Sequence, residues 1–542
     1  MNRIEILKSL QNQPPTVLII GAGINGVGTF RDLALNGVDV LLIDRGDFCS
    51  GASAASSHMA HGGIRYLENG EFRLVREAVR ERNRMIENAP HLVRPLPTTI
   101  PIFKFWSGLL NAPLKFLGWL DKPSERGAFI IKVGLMLYDA YTRKQGTVPP
   151  HRFEGRAASH KRFPDLHPDI RYTATYYDGS ILSPERYAIE LILDAEAEGS
   201  HAHALNYVSF IRGEGDKIIL RDELTGDTYQ TNPTLLINAA GPWIDRVNTD
   251  LGLANRYIGG TKGSHLVLDH PKLRAAIEEN EFFFENRDGR IVLIFPLLDK
   301  VIGGTSDIPI ENADDARCTE EEVDYFFGMI RRVFPGIKLE RSQIVFRFSG
   351  VRPLAYSDAK TTGQITRDHN IKEDRLGNIL VYSLVGGKWT SYRAFAEQVT
   401  DKSLGFLGKT RKADTKKLPI GGGRDYDSIK ESPETDAQLF ARYGSRCREI
   451  TSHPAGGNTP LRHYPNMTHR EVTFLAEQEK VVHLDDLVLR RSLMAYLGHL
   501  NRPLINELAN ILAEVLGWDE VKKETEVERT LSVLQENHGT IL

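Results

Sequence analysis

Glycines at positions 21, 23 and 26 follow the apolar run Val17-Leu18-Ile19-Ile20, and Asp44 closes a second apolar run, Val40-Leu41-Leu42-Ile43. These residue types at this spacing suit the binding of a pyrophosphate. Gly21 permits a tight turn off a strand, Gly23 lets backbone approach the phosphates, and Gly26 lets the next helix pack close to the sheet. Asn25 stands within the same turn. The helix N-terminus adds unpaired N–H groups and the positive end of its dipole. Asp44 is placed to accept hydrogen bonds from a ribose. Strand, glycines, helix and acid within one unit predict a dinucleotide-binding enzyme.

After Asp44 no regular β-α-β alternation follows. The chain runs Phe48-Cys49-Ser50-Gly51-Ala52-Ser53-Ala54-Ala55-Ser56-Ser57-His58, then His61-Gly62-Gly63-Ile64-Arg65-Tyr66. Small residues permit close approach to a large flat ligand, and hydroxyls such as Ser56 and Ser57 are suited to phosphates. The other reading is a flexible linker, but a helix-like segment follows at once. Two more apolar strands end in small residues. Leu235–Asn238 runs into Ala239-Ala240-Gly241, and Ile379–Val385 runs into Gly386-Gly387-Lys388-Trp389-Thr390. Three strand-to-glycine junctions converging on one ligand fit a flavin better than a nicotinamide, because a flavin is gripped by several parts of the chain.

Together these residues resemble the FAD-dependent glycerol-3-phosphate dehydrogenases of the glycine-oxidase-like flavoproteins. The resemblance rests on Gly21–Gly26, His61–Tyr66, Lys262-Gly263-Ser264-His265, Ser349-Gly350-Val351-Arg352-Pro353-Leu354 and Gly386–Thr390, in family order over roughly residues 16–400. Trp389 is a departure, since related sequences often carry a smaller aliphatic residue there. A second is the segment Trp106–Leu120, which is longer than in shorter members. The resemblance implies FAD as cofactor and oxidation of sn-glycerol 3-phosphate to dihydroxyacetone phosphate, with electrons passing to membrane quinone. It also implies a cytoplasmic protein held peripherally on the inner membrane.

The chemistry of individual residues agrees. A phosphomonoester dianion calls for permanent cations, and guanidinium groups bind it bidentately. Arg65 and Arg352 are candidates, with Lys388 as a third charge; a surface turn arginine is the bland reading of Arg352. Removing a hydride from carbon and a proton from oxygen calls for a flavin and a base. His61 and His265 are candidates for that base, alongside a group not identified in the sequence. Tyr66 and Thr390 are suited to orienting substrate or flavin.

Those residues require a scaffold. The expected architecture is α/β: a Rossmann-like FAD-binding domain, an antiparallel-sheet substrate or cap domain, and an α-helical C-terminal domain. The FAD domain is assigned to 16–100, 180–255 and 345–400, the cap to 101–179 and 256–344, and the C-terminal domain to 424–542. Tyr172–Tyr177, Ser264–Leu268, Arg290–Leu298 and Lys300–Gly304 read as cap strands. Val482–Tyr496 and Leu504–Leu516 read as C-terminal helices, for which stabilisation or subunit contact, as in a homodimer, is the expected role. In Phe103–Leu120, aromatics and leucines recur at helical spacing among lysines, the pattern of a helix lying on lipid or of a hairpin packed on the protein's own core. Arg73, Arg76, Arg80 and Arg84 share one face of a helix predicted over Glu71–Asn88, and Glu77 and Glu81 make that a solvated face.

Composition removes other classes. At 542 residues and a net charge of -3 there is no polycation for nucleic acid. Three scattered cysteines, Cys49, Cys318 and Cys447, form no metal spacing and suit a reducing compartment. No apolar run is long enough to span a bilayer. Open alternatives are a soluble oxidase making peroxide, an amine or amino-acid oxidase on the same scaffold, and a noncatalytic flavin-binding module.

Overall fold

In this computed structural model, residues 2–64, 71–104, 131–132, 134–136, 138–139, 146–286, 290–357 and 368–542 are described. Two apolar runs near the N-terminus become neighbouring parallel strands, Val17–Ile20 and Val40–Ile43, every residue of them buried. Burial on both faces explains their unbroken hydrophobicity. Val17, Ile19, Val40 and Leu42 face a helical layer. Leu18, Ile20, Leu41 and Ile43 face the N-terminal helix Arg3–Ser9 and a small three-stranded antiparallel sheet of Val208–Glu214, Lys217–Asp222 and Thr228–Thr231. That small sheet has no counterpart in the sequence reading.

The parallel sheet has six strands in the order Asn370–Leu376, Ile379–Val385, Leu235–Asn238, Val17–Ile20, Val40–Ile43 and Ala202–Leu205. Only the edge strand Asn370–Leu376 runs antiparallel. Chain order reverses at Val17–Ile20, which has the next strand on one side and Leu235–Asn238 on the other. Such a switch point leaves a crevice outside the carboxyl ends of the strands.

The helix Ile24–Leu35 starts at that crevice and packs against Tyr392–Phe406 and Pro184–Glu196. Its entry depends on two glycines. Gly21 turns with φ +103°, and a methyl on Gly26 would overlap the Gly21 carbonyl oxygen.

The second sheet has ten strands and is mostly antiparallel. Its long central strands are Val93–Ile102 and Tyr172–Ile181, paired over their whole length. Thr261–Leu268 lies between Lys300–Gly304 and Ile344–Arg352. The expected cap strands are present, with Tyr172–Tyr177 extended to Ile181 and Arg290–Leu298 trimmed to Ile291–Leu297. Val93–Ile102 and Ile344–Arg352, given by sequence to the cofactor pieces 16–100 and 345–400, pair within this larger sheet instead. Alternation of apolar and polar residues marks a strand without saying which sheet it joins.

Beyond residue 424 the chain is helical. Arg502–Leu516 and Glu520–His538 are the long elements, and Leu487–Arg491 forms a π-helical turn rather than part of one helix over Val482–Tyr496. Buried ion pairs fasten this region to the rest. Asp47 receives Arg491 Nη1 and Nη2 at 2.6 and 2.9 Å and Arg490 Nε at 2.5 Å. Burial alone would raise the Asp47 carboxyl; the two guanidiniums overcome it and hold the group well below its usual range. No helix among the described residues is long and apolar enough to cross a membrane. The segment expected to meet lipid, 103–120, lies outside the described residues beyond Lys104. In the helix Phe72–Asn88, Arg73, Arg76 and Arg80 are exposed.

The overlap at Gly26 involves backbone on both sides and cannot be relieved by a side-chain rotation. Gly26→Ala is therefore expected to destabilise the protein by about 3 kcal/mol or more. Urea unfolding would measure it; a variant as stable as the parent would remove the helix–turn contact from this account.

Candidate active site

One cavity of about 2200 Å³ opens at the switch point, larger than the ~300–1,000 Å³ of an ordinary small-molecule site. Four strand ends of the parallel sheet reach its wall, at Gly21, Asp44, Ala239 and Gly386. The three strand-to-glycine junctions read from the sequence thus meet in one place. Gly23, Asn25, Ser56, Ser57, Gly241 and Gly387 also line it. Gly26 and Gly62 do not; each makes room for a neighbour instead.

The junctions are tied directly to each other. Ile24 N–H donates to Ser53 Oγ at 2.9 Å, and Trp389 Nε1 donates to the Ser53 carbonyl at 3.0 Å. Asn25 Nδ2 donates to the Gly386 carbonyl at 3.0 Å. Trp389, the departure noted in the sequence, therefore holds the small-residue run against the third junction. Asp44 Oδ2 accepts from Ala22 N–H at 2.7 Å and Oδ1 from Gly46 N–H at 3.0 Å. Burial raises its carboxyl to about 6 against the pull of those two N–H groups and Arg45.

The opposite wall comes from the ten-stranded sheet and carries ionisable side chains. Gly263, His265, Thr305, Asp307, Gly350 and Arg352 line it. Arg352 Nη2 donates to Thr305 Oγ1 at 2.9 Å, and Nη1 lies 3.3 Å from Asp307 Oδ1. His265 is buried, stacked on Phe348 with 4.8 Å between ring centres and 8° between planes. Its Nε2 and Ser57 Oγ are 2.9 Å apart. Burial, reinforced by the positive charge of Arg352 and by His58, lowers its pKa well below 6.5, so the ring is neutral at pH 7. Lys262, in the same motif, turns away and pairs with Glu322 at 2.8 Å.

His61, Lys388 and Thr390 join the same cavity. Arg65 and Tyr66 lie outside the described residues. Sequence reading missed Asp178 and Tyr176, which line the wall beside His61. Asp178 Oδ1 accepts from Gly62 N–H at 2.7 Å and from Tyr138 Oη at 3.0 Å, and Arg82 stands 3.6 Å away. Tyr138 fills the place a side chain on Gly62 would take. This buried cluster holds the backbone next to His61. Its trace in the sequence is slight: Asp178 is the one charged residue of the strand Tyr172–Ile181, whereas Arg82 is one of five arginines in Phe72–Asn88 and nothing local sets it apart.

The wall can be tested for FAD by its unsatisfied groups. Asn25 Oδ1 and Thr390 Oγ1 are buried with no hydrogen-bond partner among the described residues, and such groups are costly unless a ligand completes them. With the bare strand ends and the helix N-terminus, the residues present fit the group. Among the described residues no metal-binding cluster forms.

The family model described as FAD dependent oxidoreductase matches residues 16–402, and that of the C-terminal domain of alpha-glycerophosphate oxidase matches 384–523. A glycerol-3-phosphate dehydrogenase of Synechocystis is 33% identical over 97% of this chain and 98% of its own. A D-erythritol 1-phosphate dehydrogenase of Brucella abortus is 30% identical over 88% of this chain and 93% of its own. The solved structure of a glycerol-3-phosphate dehydrogenase from Bacillus halodurans, complexed with FAD, superposes with a TM-score of 0.74 at 22% identity, covering 99% of this chain and 97% of that one. The chain belongs to the FAD-dependent oxidoreductase family, in its glycerol-3-phosphate dehydrogenase group.

Behind Asp178, Glu281 is buried with Thr98 Oγ1 at 2.9 Å. Burial, then the charge of Asp178, raises its pKa from 4.5 to about 8. Below 4.5 folded and unfolded chains both hold this proton. As pH rises from 4.5 to about 8 the unfolded chain ionises first, so stability is lost across that window. Glu281→Gln should flatten the fall in unfolding free energy over that range. Identical slopes in the two proteins would place Glu281 in a more solvated setting than described.

Proposed function

We propose that the protein oxidises sn-glycerol 3-phosphate to dihydroxyacetone phosphate and passes the electrons to a membrane quinone. One observation carries the reading. Dinucleotide-type strand ends form one wall of the cavity, and Arg352, Lys388, His61 and a neutral His265 belong to the same cavity. Bound FAD supplies the hydride acceptor. Gly21, Gly23, Asn25, Asp44, Ser56, Ser57, Gly241, Gly386 and Gly387 are assigned to holding it, with Gly26 and Gly62 shaping the backbone around it.

Arg352 and Lys388, joined by Arg65 and Tyr66, are assigned to the phosphate, since a dianion is best held by fixed cations. Thr390 orients the substrate. The hydroxyl proton goes to His265 or His61. A neutral imidazole accepts a proton at working pH, and the Arg352 charge that keeps His265 neutral also stabilises a developing alkoxide. In this scheme the pieces 16–100, 180–255 and 345–400 serve the cofactor. The segments 101–179 and 256–344 cover the substrate, and 424–542 braces both or joins subunits in a dimer. Segment 103–120 rests on lipid at the cytoplasmic face of the inner membrane. The likeness to a D-erythritol 1-phosphate dehydrogenase supports a second reading, with a longer phosphorylated polyol in the same site.

Steady-state turnover with a quinone acceptor should be fast on sn-glycerol 3-phosphate and slow on D-erythritol 1-phosphate and amino acids. The reverse order would reassign the substrate, and stoichiometric peroxide without quinone would make the protein an oxidase. Arg352→Ala should raise KM by about 10–100-fold, while His265→Ala or His61→Ala should cut kcat by about 100-fold or more with FAD retained. Undiminished kcat in both histidine variants would exclude them as bases. A variant with Trp106, Leu110, Phe116 and Trp119 made polar should leave the membrane pellet; full pelleting would move the lipid contact elsewhere.

A further inference from the structure

Arg352 is reached across the sheet by a residue with no side chain. In the pairing of Thr261–Leu268 with Ile344–Arg352, Thr261 stands opposite Arg352, Gly263 opposite Gly350 and His265 opposite Phe348. Side chains alternate along a strand, so 261, 263 and 265 share one face with 348, 350 and 352. Gly263 is thus the diagonal neighbour of Arg352, at the spacing where a long side chain meets the adjoining strand. A methyl group built on Gly263 would fall 2.6 Å from Cζ and from Nη1 of Arg352, and closer still to Nη2. The three atoms nearest that methyl all belong to the Arg352 guanidinium. The guanidinium therefore lies flat over the bare backbone at 263, where Thr305 receives Nη2.

We propose that Gly263 is a positioning residue that sets where the Arg352 guanidinium stands in the cavity, and so sets affinity for the phosphate of the substrate. This rests on the reading of Arg352 as the phosphate-holding group. The conflict created by alanine is with the far end of a flexible side chain, so the fold absorbs it by moving Arg352. Gly304 differs. A methyl there would press on the His265 ring, 3.0 Å from Cγ, and that ring is already stacked on Phe348. A ring held near its root cannot yield as an arginine tip does. The two glycines therefore do different work: Gly263 gives the cation its seat, and Gly304 gives the histidine its room.

The test uses four FAD-loaded proteins: the parent, Gly263→Ala, Arg352→Ala and the double variant, each measured for KM and kcat on sn-glycerol 3-phosphate, FAD content and melting temperature. Gly263→Ala should keep FAD and melting temperature, raise KM by about tenfold or more and lower kcat by a smaller factor, since the displaced guanidinium also stabilises the alkoxide less. In the double variant alanine at 263 should add nothing to the loss from Arg352→Ala, because two changes acting through one group are not additive. An unchanged KM in Gly263→Ala beside a raised KM in Arg352→Ala would overturn the seat while leaving the role of Arg352 intact. An unchanged KM in Arg352→Ala would overturn that role and the seat with it. If Gly263→Ala alone fails to fold, folding of the double variant would support the clash with the guanidinium, and its failure would overturn it.

Discussion

The fold is governed by one steric constraint: at the carboxyl ends of the parallel strands, backbone must come into contact with a large flat ligand. Side chains there would keep the ligand away from the N–H groups that bind it. Gly21, Ala239 and Gly386 at the strand ends, and the small residues from Ser50 to Ser57, all meet that requirement. Bare backbone is also the least restrained part of a chain, because glycine loses the most freedom on folding. The surrounding contacts supply the missing restraint. Asn25 ties the first junction to the third, Ser53 receives the helix N-terminus, and Trp389 bridges to the carbonyl of Ser53.

The same economy recurs on the opposite wall. His265 and Arg352 project from adjacent strands onto one face, and glycines beside them leave space for the ring and the guanidinium. The charge of Arg352 adds to burial in keeping His265 neutral. In the proposed scheme, the cation that holds the substrate phosphate and the base that stays unprotonated are thus coupled through a single pairing of strands. The C-terminal region enters this arrangement through Asp47, three residues past Asp44 in the loop that leads to Ser50. Its pair with Arg491 is fully buried and its pair with Arg490 nearly so, where breaking one partner costs more than the pair contributes. Helices distant in sequence therefore brace the loop that borders the cofactor cavity.

Much of the first wall was legible because its determinants are local. Turn, helix start and terminal acid lie within one stretch from Val17 to Asp44, and each residue type follows from backbone geometry. Strand-to-glycine junctions near 239 and 386 could be read the same way, and the cavity joins them. The second wall was legible only as a set of residues. Nothing local says that Gly263 sits diagonally from Arg352, since that depends on the register of strands about ninety residues apart. Asp178, Tyr138 and Arg82 escaped for a related reason: their meaning comes from a buried cluster assembled from three separate elements. The small sheet around Lys217–Asp222 was missed because short strands joined by tight turns resemble surface loops in a single sequence. The π-helical turn at Leu487–Arg491 interrupts a pattern that hydrophobic spacing alone extends into one helix.

In the proposed function, one cavity brings FAD and a phosphorylated alcohol together. Anaerobic mixing of the purified holoenzyme with sn-glycerol 3-phosphate, followed by flavin absorbance, tests it most directly. Rapid loss of the oxidised flavin band, absent or strongly slowed in Arg352→Ala at the same substrate concentration, is the predicted result. A flavin that stays oxidised with this substrate, yet is reduced by an amino acid, would contradict the account and move the chemistry to another class of substrate on the same fold.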